Sequence, residues 1–194
     1  IPSREWKRTQ FTKREDQTWY PGETVITGIG QGFTLVTPLQ LAHATAVLAT
    51  GGQRFKPRLV IATEDAVTGV IAKPDPVLLD TIGNVEEAHW ERIAQAMVGV
   101  TEEVQGSGQT AMRGAHYSVA GKTGTAQVFS LAANEEYDAE KIDERLRDHG
   151  LFIAYAPAEN PTIAVAVVVE NGGGGGATAA PVARQILDAY FIED

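Results

Sequence analysis

The sequence contains no cysteine, and this absence excludes several kinds of chemistry. Disulfides, thiol nucleophiles and cysteine-ligated zinc all require that residue. The sequence also lacks a continuous apolar run of about 18 residues and the pattern of a signal peptide. We therefore expect no segment of this chain to span a membrane or to direct export by itself.

Positive charge is also scarce. Lysine and arginine total 16 against 25 acidic residues, and the formal net charge is -9. Clustered basic residues are needed to bind nucleic acid or anionic membrane surfaces, and no basic stripe is visible, so neither function is expected. A hydrophobic content of 43% in 194 residues suits one domain with a sizeable core, or part of a larger domain.

One stretch, Ser118 to Phe129, interrupts a strand pattern with small residues, a lysine and two threonines. Its valines and phenylalanine favour an extended chain, whereas Gly121 and Gly124 remove side chains where another molecule could approach the backbone. We interpret this stretch as the wall of an active site.

The polar side chains of this stretch alternate between its two faces. Thr123 and Thr125 share one face and Lys122 lies on the other. All three reach one ligand only along a twisted strand edge, so an edge strand is predicted. A phosphate-binding loop is the rival interpretation of Gly-Lys-Thr, but it requires glycine where His116 stands, and no helix signal follows. A solvated lysine on a surface strand is the simplest alternative.

The surroundings of Lys-Thr-Gly-Thr add information. This tetrapeptide resembles the third motif of the penicillin-recognising acyl-serine enzymes. Five further segments add to it: W-Y-P-G-E-T from Trp19, G-I-G-Q-G from Gly28, T-P-L-Q-L-A from Thr37, E-R-L-R-D-H-G from Glu144 and V-E-N-G-G from Val169. Together with the tetrapeptide, they make nearly the whole chain similar to the penicillin-binding protein 2 family of monofunctional, class B peptidoglycan D,D-transpeptidases of cell elongation. The resemblance implies an α+β fold, with an antiparallel sheet flanked by helices.

Serine sets this chain apart from the family pattern. The four serines are Ser3, Ser107, Ser118 and Ser130, and none begins Ser-x-x-Lys or Ser-x-Asn. The family carries its nucleophile and second hydroxyl in those two motifs, upstream of the segment that begins here. We therefore expect this chain to be the C-terminal part of a transpeptidase domain, incomplete without the nucleophile.

The resemblance also implies roles for the residues of the strand. Thr123 and Thr125 are expected to bind the terminal carboxylate of a D-alanyl-D-alanine stem peptide, or its β-lactam counterpart. The Thr125 backbone N–H is expected to form half of the oxyanion hole, and Lys122 to place positive charge beside the carboxylate and assist proton transfer. Gly121 and Gly124 are expected to keep the strand edge open. No cofactor or metal is implied.

The implied partners are the stem peptide, β-lactams, the rest of the transpeptidase domain, an elongation glycosyltransferase and scaffold proteins. The implied location is the periplasmic face of the bacterial inner membrane, with the anchor outside this chain. A non-catalytic scaffold of cell-wall synthesis is the alternative of a different class, because the serine is absent. A scaffold has no structural need for Lys122, however. A phosphate-binding hydrolase is a distant third.

Turn and capping signals predict the first long helix. Thr37 is its N-cap with Gln40 three residues later, and Gly51 and the following glycine end it. Apolar residues cover most of its circumference, so we expect it to be buried. His43 is expected to be a satisfied core or boundary histidine.

A second helix is predicted from about Val85 to Glu103, with Asn84 as its cap. His89 lies off its apolar stripe and is expected in solvent. The glycines between 106 and 114 predict a flexible loop that leads into the Lys-Thr-Gly strand. Ser107 lies in this loop without a neighbouring base, which argues against a nucleophile there. The stripe of the helix is Trp90, Ile93, Ala94, Met97 and Val98.

Three strands and a helix complete the prediction. Arg58–Thr63 and Leu151–Ala156 are expected to be strands, and Thr162–Glu170, apolar on both faces, a central strand. Gly172–Gly176 is expected to be a flexible turn. The last helix, about Thr178–Phe191, is expected to cover the sheet with one apolar face. That face comprises Val182, Ile186, Leu187, Tyr190 and Phe191.

The chain is predicted to form a single portion of one transpeptidase domain, 1–194. Residues 130–150 are predicted to be an insertion. Within it, Asp138 is expected to cap a short helix that Gly150 ends, and the insertion as a whole is expected to form a solvated surface or a loop over the cleft. Glycines at 28, 30 and 32 predict a tight turn bordering the site. The subdivisions are an irregular lead-in (1–36), a helical part (37–114) with a variable loop (63–80), and a part with the Lys-Thr-Gly strand, sheet and last helix (115–194) that contains the insertion (130–150).

Overall fold

The computed structural model of the chain describes residues 1–128 and 142–192. It combines helices with antiparallel strands, so the predicted α+β class is confirmed. No helix within these two ranges is long and apolar enough to cross a membrane. The helices are α1 (Arg4–Gln10), α2 (Pro21–Gly28), α3 (Pro38–Ala49), α4 (Glu87–Glu102), α5 (Gln109–Met112) and α6 (Ala179–Ile192). The strands are β1 (Gln53–Phe55), β2 (Thr63–Glu64), β3 (Ile71–Ala72), β4 (Leu78–Thr81), β5 (Ala120–Ala126), β6 (His149–Ala156) and β7 (Ile163–Val169).

A three-stranded antiparallel sheet organises the chain, in the order β5-β6-β7. The prediction that Thr162–Glu170 is a central strand is therefore wrong for the described sheet, in which β6 is central. The error has a physical cause. A strand that is apolar on both faces needs cover above and below, not a strand on each side. Here α6 covers one face, and α3 and α4 contact the other.

The two faces of the sheet carry separate hydrophobic clusters. On one face, Phe152, Ala154 and Ala156 of β6 pack with residues of α6. On the other face, Tyr155 packs with Met97 of α4. Burial raises the pKa of the Tyr155 hydroxyl.

Helix α6 contacts the sheet through its small side chains. Ala179, Ala180, Ala183 and Leu187 are fully buried, whereas Val182 is 41% exposed. The predicted apolar face of α6 is therefore wrong in part, since Ile186 and Tyr190 are also exposed. Alanine lets a helix backbone approach the sheet closely, and a large Phe152 fills the remaining space.

Hydrogen bonds between polar side chains also hold α6 in place. The Tyr117 hydroxyl donates to Asp188 Oδ1 at 2.6 Å, and Arg184 Nε donates to the same oxygen at 2.7 Å. Burial and the hydrogen bond to Asp188 raise the pKa of Tyr117. Arg184 also donates to the Arg113 carbonyl, so α6 is tied to the segment that precedes β5.

Helix α3 follows its predicted signals. The Thr37 side chain accepts from Gln40 N at 3.2 Å, and Gln40 Oε1 accepts from Thr37 N at 2.9 Å, which confirms the capping box. His43 Nε2 donates to the Phe55 carbonyl at 2.8 Å, as expected of a satisfied histidine. The expected burial of this helix is wrong in part. Val47 is buried, but Leu39 is 68% exposed in the described chain.

Helix α4 begins at Glu87 with Glu86, not Asn84, as its N-cap. Within the predicted stripe, Met97 is buried, and Ile93 remains 43% exposed. His89 is exposed, as predicted.

The predicted strand Arg58–Thr63 is wrong. The short strands there pair as β1 with β4 and β2 with β3, all between residues 53 and 81. Within the expected variable loop (63–80), β2 pairs with β3, and β4 begins at Leu78 and pairs with β1, which precedes the loop. The variability of this loop stays a prediction.

The expectation of an irregular lead-in (1–36) is wrong, because α1 and α2 lie within it. Lys7 of α1 is only 4% exposed and pairs with Glu23 of α2. Its Nζ lies 5.3–5.9 Å from the ring centroids of Phe11, Tyr20 and Phe33. The polar sequence of this region gives no apolar stripe by which to predict α1 and α2, because their packing depends on a lysine that is buried by its partners.

Two predictions concern the segment from 130 to 150. Asp138 lies outside the described residues. Gly150 does not end a helix, since it belongs to β6. The described part of this segment contains a 3-10 turn, Glu144–Leu146, whose N-cap is Asp143.

Three of the five glycines between β7 and α6, Gly172, Gly175 and Gly176, are closely packed, which corrects in part the expectation of a flexible turn at Gly172–Gly176. A Cβ atom on Gly175 would lie 2.0 Å from the Leu151 carbonyl oxygen and 2.5 Å from that of Gly124. A Cβ on Gly174 would meet no atom within 4 Å. Adjacent glycines therefore differ in what they contact.

We predict that Gly175→Ala destabilises the fold and that Gly174→Ala, its matched control, does not. Backbone oxygens cannot move aside cheaply, so Gly175→Ala should lower the free energy of unfolding by about 1–3 kcal/mol. Gly174→Ala should change it by about 0.5 kcal/mol or less. Denaturant unfolding of the full-length protein that contains this chain measures both values. Equal effects at the two positions would contradict this packing.

Candidate active site

Strand β5 forms an edge of the sheet, as predicted, because its pairing within the described chain is with β6 alone. Its first residues, Ala120 and Gly121, are buried beneath neighbouring elements. Lys122 and Thr125 are exposed, and Thr123 is partly exposed. The strand therefore runs from the core out to an accessible edge.

The hydrogen bonds of three carbonyl groups show which way the strand is turned. The Val119 carbonyl accepts from Thr101 Oγ1, and the Thr123 carbonyl accepts from Lys122 Nζ at 2.7 Å. The Thr125 carbonyl accepts from Gln31 Nε2 at 2.7 Å. These carbonyls belong to alternate residues and accept from groups outside the sheet, so they point away from β6.

This orientation also places the amide groups. In an antiparallel pair, the N–H and C=O of one residue point to the same side of the strand. The Thr125 N–H therefore faces the outer edge, on the same side as its carbonyl. A donor at an accessible edge is what binding of a developing negative charge requires.

Lys122 reaches the same edge from the other face. Its Nζ bonds to the Thr123 carbonyl, although its side chain begins on the face opposite the threonines. No acidic side chain in the described ranges forms an ion pair with it. The predicted meeting of Lys122, Thr123 and Thr125 along one strand edge is consistent with this geometry.

The Thr123 hydroxyl shares a hydrogen bond with Ser107, whose Oγ lies 2.7 Å from Thr123 Oγ1. Ser107 sits just before α5, so the expected flexible loop contains a short helix. A Cβ on Gly176 would lie 2.2 Å from the Ser107 carbonyl oxygen, which shows how closely this loop is held. In the described chain the partner of Ser107 is a hydroxyl, not a lysine or histidine that would activate it.

The glycines of the motif are required by packing. A Cβ on Gly121 would lie 2.6 Å from Cζ of Phe152 and 3.1 Å from Thr101 Cγ2. A Cβ on Gly124 would lie 3.2 Å from Leu151 Cβ. The expectation that Gly121 leaves room for another molecule is therefore wrong, since Phe152 occupies that space. Gly124 is partly exposed, and the side chain that a Cβ atom there would meet, Leu151, also belongs to the sheet.

The turn after α2 borders the site, as the glycine spacing predicts. Gly30 and Gly32 have positive φ angles of 76° and 71°, which glycine adopts without strain. Gln31 between them contacts both Thr125 and Gln127. Sequence reasoning missed Gln31, because its partners lie more than 90 residues away.

The assembled site offers hydroxyls, a cation and backbone donors, and within the described ranges no lysine or histidine is hydrogen-bonded to its serine, Ser107. No group of three or more histidine and acidic side chains in the described ranges could hold a metal ion. Such a site can anchor a carboxylate and polarise a carbonyl group.

The chain is similar to known proteins over nearly its whole length. The model of the penicillin binding protein transpeptidase domain matches residues 8–188. A peptidoglycan D,D-transpeptidase MrdA from Haemophilus influenzae is 44% identical over 192 residues, and its counterpart from Escherichia coli is 41% identical over 195 residues. These alignments cover 98% and 100% of this chain.

Solved structures agree with this result. The structure of Pseudomonas aeruginosa PBP2 in complex with WCK 5153 superposes with a TM-score of 0.74 at 41% identity, covering 97% of this chain and 36% of that one. A complex between PBP2 and MreC from Helicobacter pylori gives a TM-score of 0.74 at 27% identity, covering 98% and 31%.

The chain spans only 28% and 30% of the two MrdA relatives. The match of the family model nevertheless extends over most of the 194 residues, and it includes β5 and all of the residues that line its outer edge. The chain belongs to the penicillin binding protein transpeptidase domain family.

Proposed function

We propose that this chain supplies the substrate-anchoring side of a peptidoglycan D,D-transpeptidase that works through an acyl-serine intermediate and is acylated by β-lactams. The observation that carries the proposal is the alignment of Lys122, Thr123 and Thr125 along one accessible strand edge. The names of the MrdA relatives support the same reaction.

The anchor for the substrate carboxylate consists of two hydroxyls and a cation. Thr123 and Thr125 lie on one face of β5 and donate hydrogen bonds to the carboxylate of the terminal D-alanine, or of a β-lactam. Lys122 adds positive charge at the same edge, and hydrogen bonds to a charged group are the stronger kind. Ser107 accepts from or donates to Thr123, so it orients that hydroxyl.

The carbonyl that reacts lies beside the Thr125 N–H. As a serine oxygen attacks this carbonyl, its oxygen gains negative charge, and the edge N–H stabilises it as half of the oxyanion hole. The serine hydroxyl proton passes to the amine of the terminal D-alanine as its amide bond breaks. An amine of a second stem peptide then attacks the acyl-serine ester, forms the new amide bond and returns a proton to the serine oxygen. Lys122 assists proton transfer at this edge.

The nucleophile comes from residues outside this chain, since none of its serines begins Ser-x-x-Lys.

The location and the partners follow from the substrate and from the relatives. The stem peptide lies outside the cytoplasm, so we propose that the site lies at the periplasmic face of the inner membrane and that the protein acts in cell elongation. The complex between PBP2 and MreC from Helicobacter pylori supports a protein partner for this chain, and we extend the proposal to scaffold proteins and an elongation glycosyltransferase.

We predict that Thr125→Val weakens β-lactam binding more than it changes stability. Valine keeps the branched shape of threonine but removes the hydroxyl that donates to the carboxylate. Losing one hydrogen bond to a charged group costs about 1.5–3 kcal/mol, which corresponds to a roughly 10–150-fold higher Kd. Stopped-flow acylation of the full-length protein gives Kd, and an unchanged value would contradict this role of Thr125.

A second prediction concerns the nucleophile. After incubation of the full-length protein with a β-lactam, intact mass and peptide mapping should place the covalent adduct outside these 194 residues. An adduct on Ser107 would show that this chain carries its own nucleophile. A full-length protein that forms no adduct would instead favour the non-catalytic scaffold.

A further inference from the structure

With one side-chain amide, Gln31 makes one hydrogen bond to Thr125 of β5 and one to Gln127, the residue that follows the strand. Its Nε2 donates to the Thr125 carbonyl at 2.7 Å, and its Oε1 accepts from the Gln127 backbone N–H at 3.5 Å. The backbone of Gln31 is itself fixed, because its N–H donates to the Ile26 carbonyl of α2 at 3.1 Å. A turn that is distant in sequence thus reaches the end of the strand.

These two bonds are the ones that another strand would make. On an edge strand, the carbonyl of one residue and the N–H of the second residue after it face the same side. A neighbouring strand satisfies both groups, and here the carboxamide of Gln31 does so for Thr125 and Gln127. From the Thr125 carbonyl to the Gln127 N–H, the outer edge is therefore occupied by the side chain of Gln31.

The hydrogen bonds of Gln31 act on Thr125, the residue whose backbone N–H faces the site. The Thr125 N–H and C=O lie on adjacent peptide planes joined at one Cα, so fixing the carbonyl limits rotation of the amide. On the other side of that amide, the Thr123 carbonyl is bonded by Lys122 Nζ. Gln31 and Lys122 thus hold the strand on both sides of the Thr125 N–H.

We infer that Gln31 is a positioning residue for acylation, which aims the Thr125 N–H at the developing oxyanion. This inference rests on the proposed function. An oxyanion donor acts mainly in the transition state, so its misalignment slows the chemical step and leaves ground-state binding largely intact. Gln31 acts through the backbone of Thr125 and itself touches no substrate.

The test measures β-lactam acylation of the full-length protein by stopped flow, which separates the limiting acylation rate constant from Kd. Gln31→Ala removes both bonds. Gln31→Glu keeps the size and the acceptor for Gln127, but it places a carboxylate against the Thr125 carbonyl. Both variants should lower the limiting rate constant about tenfold or more, because removal of an oxyanion donor costs about 100-fold or more. Kd should change by less than about threefold.

Gln53→Ala is the matched control, since Gln53 is an exposed glutamine of β1. It should leave both constants at their wild-type values. Melting temperatures of all variants should lie within about 3 °C of wild type, because one or two exposed hydrogen bonds contribute little to stability. The near-isosteric Gln31→Glu keeps the test valid if Gln31→Ala fails to fold.

The outcomes separate this inference from the proposed function. A wild-type rate constant in Gln31→Glu, together with a raised Kd in Thr125→Val, would overturn the role of Gln31 and leave the proposed function standing. A lower rate constant accompanied by a raised Kd and a lower melting temperature would also overturn it, since a general structural defect changes all three. A wild-type protein that is not acylated would contradict both.

Discussion

The antiparallel pairing of β5 with β6 is the interaction on which the site depends. It directs alternate carbonyl and N–H groups of β5 away from the sheet and so creates an edge with fixed spacing. Thr101, Lys122 and Gln31 each bond one outward carbonyl, at Val119, Thr123 and Thr125. A shift in register by one residue would turn every group of this edge inward.

Close packing around the strand pair keeps that register. Phe152 fills the space above Gly121, and Gly175 lies against the carbonyl oxygens of Leu151 and Gly124. Side chains at either glycine would push the two strands or the following turn apart. The Lys-Thr-Gly-Thr motif is therefore a packing motif as well as a chemical one: its polar residues meet the ligand, and its glycine neighbours hold the sheet together.

Local signals in the sequence predicted some elements well and others poorly. The capping box at Thr37 and the apolar run of β7 were sufficient, because each signal lies within a few residues. Helices α1 and α2 were missed because Lys7 is buried only through partners from other segments. The sheet-facing side of α6 was misassigned in part because alanines, and not the larger Val182, lie in the buried cluster with Phe152. Gln31 could not be found, since its role depends on contacts with a distant strand.

Helix α6 is made after every strand of the sheet that it covers. Until residues 179–187 leave the ribosome, Phe152 and the small residues of β6 lack their apolar cover, and this face of the sheet is exposed to solvent. Exposed apolar faces of partly synthesised domains are prone to association with other chains. The order of synthesis therefore makes α6 the element whose arrival ends the exposure of this face of the sheet.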